Sequence, residues 1–422
     1  MRAGGHERTT DVVRRHRPDY MILLYTGILM LIGLVIIYAI GPQRANVLNN
    51  AIGSNFSDTY FFVKQTTSLM LALVAFAIMA SLPYKFVVKH GMKVLVIGLA
   101  ACALLWLASV AHLGIAEQVN GASRWFNLGI FGSLQPAEIL KFGLLLYLAV
   151  FLGARVKEGN VNDVKKSLIP TGVVTAIALL FIVVIQKDLG TGIALTAIVL
   201  TMLFMAGLSK KIGITVAGIV LVVGAIFIVS APHRVDRIAT YLQGDSSSVD
   251  DAGSYHIQHA KIAIGSGFLF GVGIGNSIQA TGYLPEAIND SVFAILGETF
   301  GFIGLIILMA IFVALLLRLL KVMDHLVDIR LKLLVAGVFG WFGAHVILNI
   351  AAMIGIFPLT GITLPLLSFG GTSMIFITAA LGLVFQLSRY TIHSSRIKET
   401  SDANLGSGRR VGRTRYASRS GS

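Results

Sequence analysis

The sequence predicts an all-α polytopic membrane protein that crosses the bilayer about ten times. Three observations carry this. The 422 residues are 55% hydrophobic and only 13% charged, and the mean hydropathy of +0.81 lies far above that of a soluble domain. Apolar runs of about 20 residues, the length that crosses a bilayer core, recur along the chain. Basic residues gather in alternate connections between those runs, as they do when Lys and Arg stay on the cytoplasmic side. An outer-membrane barrel would instead show short segments of alternating hydropathy.

The spans follow in order. A polar, basic segment, 1–19, precedes the first span at 20–41. No small-residue cleavage site lies at a signal-peptide distance, so this run is expected to stay as an anchor. Spans at 66–82 and 93–113 come next. The single cysteine, Cys102, lies inside the latter and is assigned to packing, since one thiol forms no intrachain disulfide. Spans at 136–154, 167–186, 189–208 and 211–231 lead to a long connection, 232–290. The last three spans are 291–317, 333–356 and 371–388. A ten-span domain thus covers 20–390. The tail, 391–422, is rich in Ser, Gly and Arg and reads as disordered.

With a cytoplasmic N-terminus, 26 of the 34 Lys and Arg fall on the cytoplasmic side and seven on the other, with Lys141 inside a span. Ten spans place both termini in the cytoplasm. The net charge of +14 is then mostly membrane-surface charge, and nucleic acid is not an expected partner. The long connection contains Tyr255 to Gly275, moderately apolar and broken by five glycines. It is expected to form an interfacial or re-entrant helix, with any non-helical backbone covered by protein or lining a wet cavity. No strand–turn–helix context supports a nucleotide loop there, and no Walker-type sequence occurs anywhere.

Candidate chemistry gathers on the outer side. LPEAIND, Leu284 to Asp290, places Glu286 and Asp290 at the mouth of an apolar run. Asp290 reads either as a helix cap or as a base held by the turn at Pro285, with Glu298 two turns along the same face. The helix start would lower its pKa; burial or the Glu286 charge would raise it. In Asn120 to Phe142, Arg124 stands on the side where arginine is unexpected, beside Trp125, and its forked donors suit phosphate. Gln135, Glu138 and Lys141 follow at three-residue spacing, and the last two can pair as i, i+3. That pair reads equally as structural glue or as part of a substrate path. QKDLG, Gln186 to Gly190, carries Lys187 and Asp188 in a hairpin. His256 and His259 are three apart on the long connection, a weak signal alone. The uncharged connection Pro358 to Met374 offers Ser368, Thr372 and Ser373 for a polar headgroup, and Asn349 precedes it within a span.

Taken together, these motifs carry a resemblance. NGASRWFNLG, QPAEILKF, QKDLGTG, YHIQHAKIAIGSGFLFGVGIG, LPEAINDSVFAILGETFG and PLTGITLPLLSFGGTS, in that order, are similar to the SEDS family (shape, elongation, division and sporulation). These are the RodA and FtsW proteins of bacterial cell-wall synthesis. The resemblance runs from about residue 20 to 390. LPEA and NGAS-RW lean towards the FtsW branch over RodA, so both a division and an elongation role stay open.

The resemblance implies a peptidoglycan glycosyltransferase that polymerises lipid II on the outer face of the cytoplasmic membrane. Asp290 falls on the family's essential loop aspartate. Its neighbours depart from the common pattern: Ile288, Asn289 and Ser291 surround it, Thr299 stands where a second glutamate is frequent, and Ala137 replaces a serine. In the implied inverting reaction one carboxylate suffices as base, because a diphosphate leaves without a general acid; glycosidases need two. Arg124, Lys141 and Lys187 are the expected cations for the leaving diphosphate. Gln135, Glu138, Asp188, Trp125, His259, Glu286, Glu298 and Ser368 complete the expected substrate site. A divalent cation, magnesium or manganese, would do the cations' work, and the sequence shows no dedicated site for one. The expected partners are lipid II and undecaprenyl-diphosphate-linked glycan, a class B penicillin-binding protein, and other divisome or elongasome proteins. Two rival readings remain at this stage: a lipid II flippase, and a non-catalytic scaffold for a transpeptidase.

Overall fold

A computed structural model describes residues 16–119, 122–127, 129, 132–229 and 252–391. The expectations for 1–15, for 392–422 and for part of the long connection lie outside the described residues. Twelve helices run through the described chain: α1 (Tyr20–Ile52), α2 (Tyr60–Ser81), α3 (Tyr84–Lys89), α4 (Gly91–Val110), α5 (Pro136–Lys157), α6 (Ile169–Leu179), α7 (Leu189–Met205), α8 (Lys210–Val229), α9 (Ala252–Ser266), α10 (Val292–His325), α11 (Ile329–Met353) and α12 (Gly371–Leu387). Each of the ten predicted spans falls on one of them. Among the described residues eight helical stretches are long and apolar enough to cross a membrane. The apolar α7 has 17 residues and the apolar α8 has 20.

Helix ends explain where the boundaries moved. Asp19 caps α1 by accepting from the Met21 amide, and Gly53 ends it at φ 66°. The 33 residues between them reach about 50 Å, well beyond a ~30 Å bilayer core. The span was expected to stop at 41, but the helix continues through Pro42 and carries Gln43, Arg44 and Asn49 past the apolar zone. α6 is flanked by wide π-type turns at Val164–Leu168 and Leu180–Ile185. The connection at 114–135 carries a small antiparallel sheet in the order β1-β2-β3: β1 (Ala116–Val119), β2 (Ala122–Asn127) and β3 (Ser133–Leu134).

α5, α11 and α12 are mostly buried in the bundle, whereas α2, α4, α6 and α10 turn much of their surface outward. Apolar outward side chains such as Leu221 and Val222 on α8 are stable only against lipid. Small residues let backbones approach, as they do where lipid supplies no hydrophobic drive between helices. On α4 and α5, a Cβ at Gly98 would sit 2.6 Å from the Leu140 Cα, and one at Gly143 would sit 2.5 Å from the Leu95 amide nitrogen.

The long connection is spliced into α10. Gly301 breaks that helix at φ 69°, ψ −169°. The freed groups are taken up by 268–273: the Val272 and Gly273 amides donate to Glu298 O (2.9 Å) and Thr299 O (3.1 Å), while the Phe302 and Ile303 amides donate to Phe268 O (2.8 Å) and Leu269 O (3.1 Å). A Cβ on Gly301 would lie 2.4 Å from the Gly271 nitrogen, so only glycine admits this crossing. The expected helix of the connection is α9, which packs on α10 and α11. At 15 residues it reaches only about 22 Å, so it does not span.

Candidate functional site

Asp290 ends a turn that is pinned from several directions. The Asn289 and Ser291 amides donate to Glu286 O at 2.9 and 3.3 Å, and the Phe369 amide donates to Ile288 O at 2.8 Å. Asn349, on α11, divides its amide between Asp290 O and Ile362 O, 2.7 Å each, tying this turn to the 358–370 connection. The cap reading does not hold: the N-cap of α10 is Ser291, with no side-chain cap hydrogen bond. Asp290 Oδ1 is instead buried with no hydrogen-bond partner. Burial foremost, and the Glu286 charge next, push the carboxyl up from 3.8 to about 7; the Asp290 and Ser291 amides and the Ser291 hydroxyl pull the other way.

Three side chains frame the turn. Glu286, exposed and at φ 50°, meets Arg44 of α1 at 3.6 Å and accepts from the Asn289 side chain. Ser291 Oγ donates to Pro285 O at 2.8 Å. The same hydroxyl oxygen meets His256 Nε2 at 2.6 Å. A cleft of about 610 Å³ opens between Val47 and Asn50 of α1 and Tyr255, Gly282 and Tyr283.

Beneath this turn lies a buried charged group. Lys141 Nζ donates to Glu138 Oε1 (2.8 Å) and to His345 Nε2 (3.4 Å), and lies 4.9 Å from the centre of the Trp341 ring. The pairing expected from the i, i+3 spacing is therefore present, with all three ammonium directions used inside the bundle. Trp341, His345 and Asn349 repeat at four-residue spacing on α11, so each sits about 6 Å along the helix from the next. Lys141 thus lies about one turn below the anchor of Asp290.

Another network joins the sheet to the 186–190 hairpin. Arg124, from β2, donates through Nε and Nη2 to the carbonyls of Gln186 (3.1 Å) and Lys187 (2.8 Å). Asp188 caps α7 by accepting from the Thr191 amide (2.9 Å) and hydroxyl (2.8 Å), and it receives Gln135 Nε2 at 3.4 Å. Thr372 Oγ1 donates to Ser133 O (2.6 Å), closing the network onto α12. Lys187 is exposed at φ 52°, and Trp125 is half-buried beside Arg124.

Three of the expected residues serve the connections themselves. Glu298, buried, receives the Ser277 hydroxyl (2.5 Å) and the Ile278 and Gln279 amides (2.9 and 3.3 Å). His259 Nδ1 meets Gln279 Oε1 at 2.8 Å and stacks on Tyr283. Ser368 accepts from the Leu364 amide (2.8 Å), and its carbonyl receives Gln65. The structure therefore groups Asp290 with Glu286, Glu138 with Lys141, and Arg124 with Gln135, Lys187 and Asp188. Arg44, His256, His345 and Trp341 were not among the expected site residues. The spacing of Trp341, His345 and Asn349 on an apolar helix was the available signal for two of them. Among the described residues no cluster of three or more His, Cys, Asp or Glu could hold a metal ion.

Fold and site define a multi-pass helical membrane protein with a polar site where its helices end around Asp290. Residues 19–393 match the family described as cell cycle protein, that of FtsW, RodA and SpoVE. The chain is 32% identical to stage V sporulation protein E of Bacillus subtilis (strain 168), over 90% of this chain and 99% of that one. It is 31% identical to the probable peptidoglycan glycosyltransferase FtsW of Nitrosomonas europaea, over 88% and 93%. Its fold resembles the crystal structure of the rod shape determining protein RodA of Thermus thermophilus, with TM-score 0.62 at 24% identity over 89% and 98% of the chains. It also resembles a chain of a peptidoglycan synthase complex described as coordinating polymerization and crosslinking, with TM-score 0.68 at 24% identity over 88% and 98%. The protein belongs to the FtsW/RodA/SpoVE family, and the two relatives named above are an FtsW and a SpoVE protein.

Proposed function

We propose that this protein is a peptidoglycan glycosyltransferase that polymerises lipid II, with Asp290 as general base. One observation carries the reading: a half-buried carboxylate whose Oδ1 is buried and unpartnered and whose pKa is raised to about 7, on a turn pinned by α11. A base works best when its pKa lies near the working pH. The 4-hydroxyl of the acceptor sugar attacks the anomeric carbon of the growing chain and passes its proton to Asp290. The bond to the lipid diphosphate breaks with inversion, and the diphosphate leaves with its electron pair. Arg44 and Lys187 present cations at this end of the bundle, where that charge develops.

The 26-to-7 division of basic residues supports a topology with both termini in the cytoplasm and Asp290 outside, in the cytoplasmic membrane of a bacterium. The likeness to a complex that couples polymerization to crosslinking supports work alongside a penicillin-binding transpeptidase.

The test is polymer formation from lipid II by the purified protein. Wild type is expected to make glycan, and Asp290→Asn to lose about 10²–10⁴-fold in rate while remaining folded. Full activity in Asp290→Asn would sink the catalytic assignment. Lipid II crossing vesicle membranes without polymer would favour a flippase.

A further inference from the structure

At the opposite end of the bundle from Asp290, a groove of about 640 Å³ opens between α3, α4, α5 and α11. Arg330 marks its level: 19 residues before Asn349 on α11, it lies about 28 Å along the helix from the Asp290 anchor. The groove has two chemically distinct parts. Its apolar lining is Val88 and Met92 on one side and Val150 and Phe151 on the other. Its rim carries Lys85, Lys89 and Arg330, with Tyr84 and Tyr147.

The cations differ in what they already hold. Arg330 is fixed by Asp328 through two hydrogen bonds, 3.2 and 2.8 Å, and its stem lies across Gly153, where a Cβ would come within 2.4 Å of it. Arg330 is thus preset and largely neutralised. Arg155, close by, is paired with Glu158. Lys85 and Lys89 are exposed and form no ion pair among the described residues. Two uncompensated ammonium groups, four residues apart on one face of α3, overhang an apolar trough with tyrosines at its edge. A soluble anion has no use for the trough, and an apolar chain has none for the rim. A basic pocket between membrane helices suits an anionic headgroup with its acyl chain attached.

We infer that this groove is a binding site for an anionic phospholipid, with the phosphate on Lys85 and Lys89 and an acyl chain along Val88, Met92, Val150 and Phe151. Aromatic rings at the headgroup level and lysine stems along apolar surface fit the same placement. The site lies on the side that the charge asymmetry assigns to the cytoplasm, where anionic lipid is enriched. It is independent of the chemistry at Asp290.

The test is native mass spectrometry of the full-length protein in detergent, titrated with phosphatidylglycerol or phosphatidylcholine. Wild type is expected to retain one phosphatidylglycerol in preference to phosphatidylcholine. Lys85→Ala/Lys89→Ala, at exposed positions, is expected to weaken that retention roughly tenfold to thirtyfold. Val150→Trp, which keeps every charge and fills the trough, is expected to weaken it as well. Excess inorganic phosphate is expected to leave the bound lipid in place. Equal retention of the two lipids, or of phosphatidylglycerol by wild type and the double variant, would overturn the site. Displacement by inorganic phosphate, or full retention in Val150→Trp, would show a bare phosphate site and overturn the lipid assignment.

Discussion

Burial and the charge of Glu286 act on Asp290 in the same direction, and both raise its pKa, to about 7. A base must be deprotonated to act, so activity on lipid II is expected to fall as pH drops below about 7 and to level off above it. Glu286→Gln removes one of the two raising influences and should move that limb to lower pH. Arg44→Ala removes the cation that meets Glu286 and should move it upward. Stability follows from the same shift. Between about pH 4 and 7 the carboxyl is charged when unfolded but neutral when folded, so stability declines as pH rises through that window. Asp290→Asn should remove this contribution, read as a melting temperature that falls less, or rises more, from pH 4 to 7 than that of wild type.

Among the elements, α11 organises the site. Trp341, His345 and Asn349 stack along one face, touching Lys141 at one level and the Asp290 backbone at the next. Asn349→Leu leaves a buried carbonyl, Ile362 O, and a partly buried one, Asp290 O, without their donor, at about 1–3 kcal/mol for the buried one. It should lower the melting temperature and reduce turnover more than it weakens substrate binding, because it frees the turn that aims the base. Here the limits of the sequence are physical. Spans were legible because ~20 apolar residues have few alternatives in lipid, and Asp290 because an acid at such a boundary needs a reason. The reach of α1 past Pro42, which delivers Arg44, was hidden by a residue that normally ends helices. The 2.6 Å contact between His256 and Ser291 joins residues 35 apart, and no local pattern encodes it. The strands at 116–134 are too short to announce themselves. Glu298 was read as part of the site because it shares a helix face with Asp290; its partners come from the 277–279 turn instead.

For the whole molecule, the charge asymmetry and the structure make one joint prediction. The buried Cys102 is the only cysteine, so Cys102→Ser gives a clean background for labelling. Ser57→Cys, exposed at the Asp290 end, should react with a membrane-impermeant maleimide added outside intact cells. Lys157→Cys, exposed at the far end, should react only after lysis. The reverse pattern would invert the topology.

The splice of 268–273 into α10 bears on how the molecule comes apart. Two amides of a membrane helix, those of Phe302 and Ile303, hold carbonyls that belong to the preceding connection. These protons can exchange with solvent only when that connection lifts away. Loop and helix therefore open as one cooperative unit. In hydrogen–deuterium exchange, protection at 302–303 should track protection at 272–273, and Gly301→Ala should release both together.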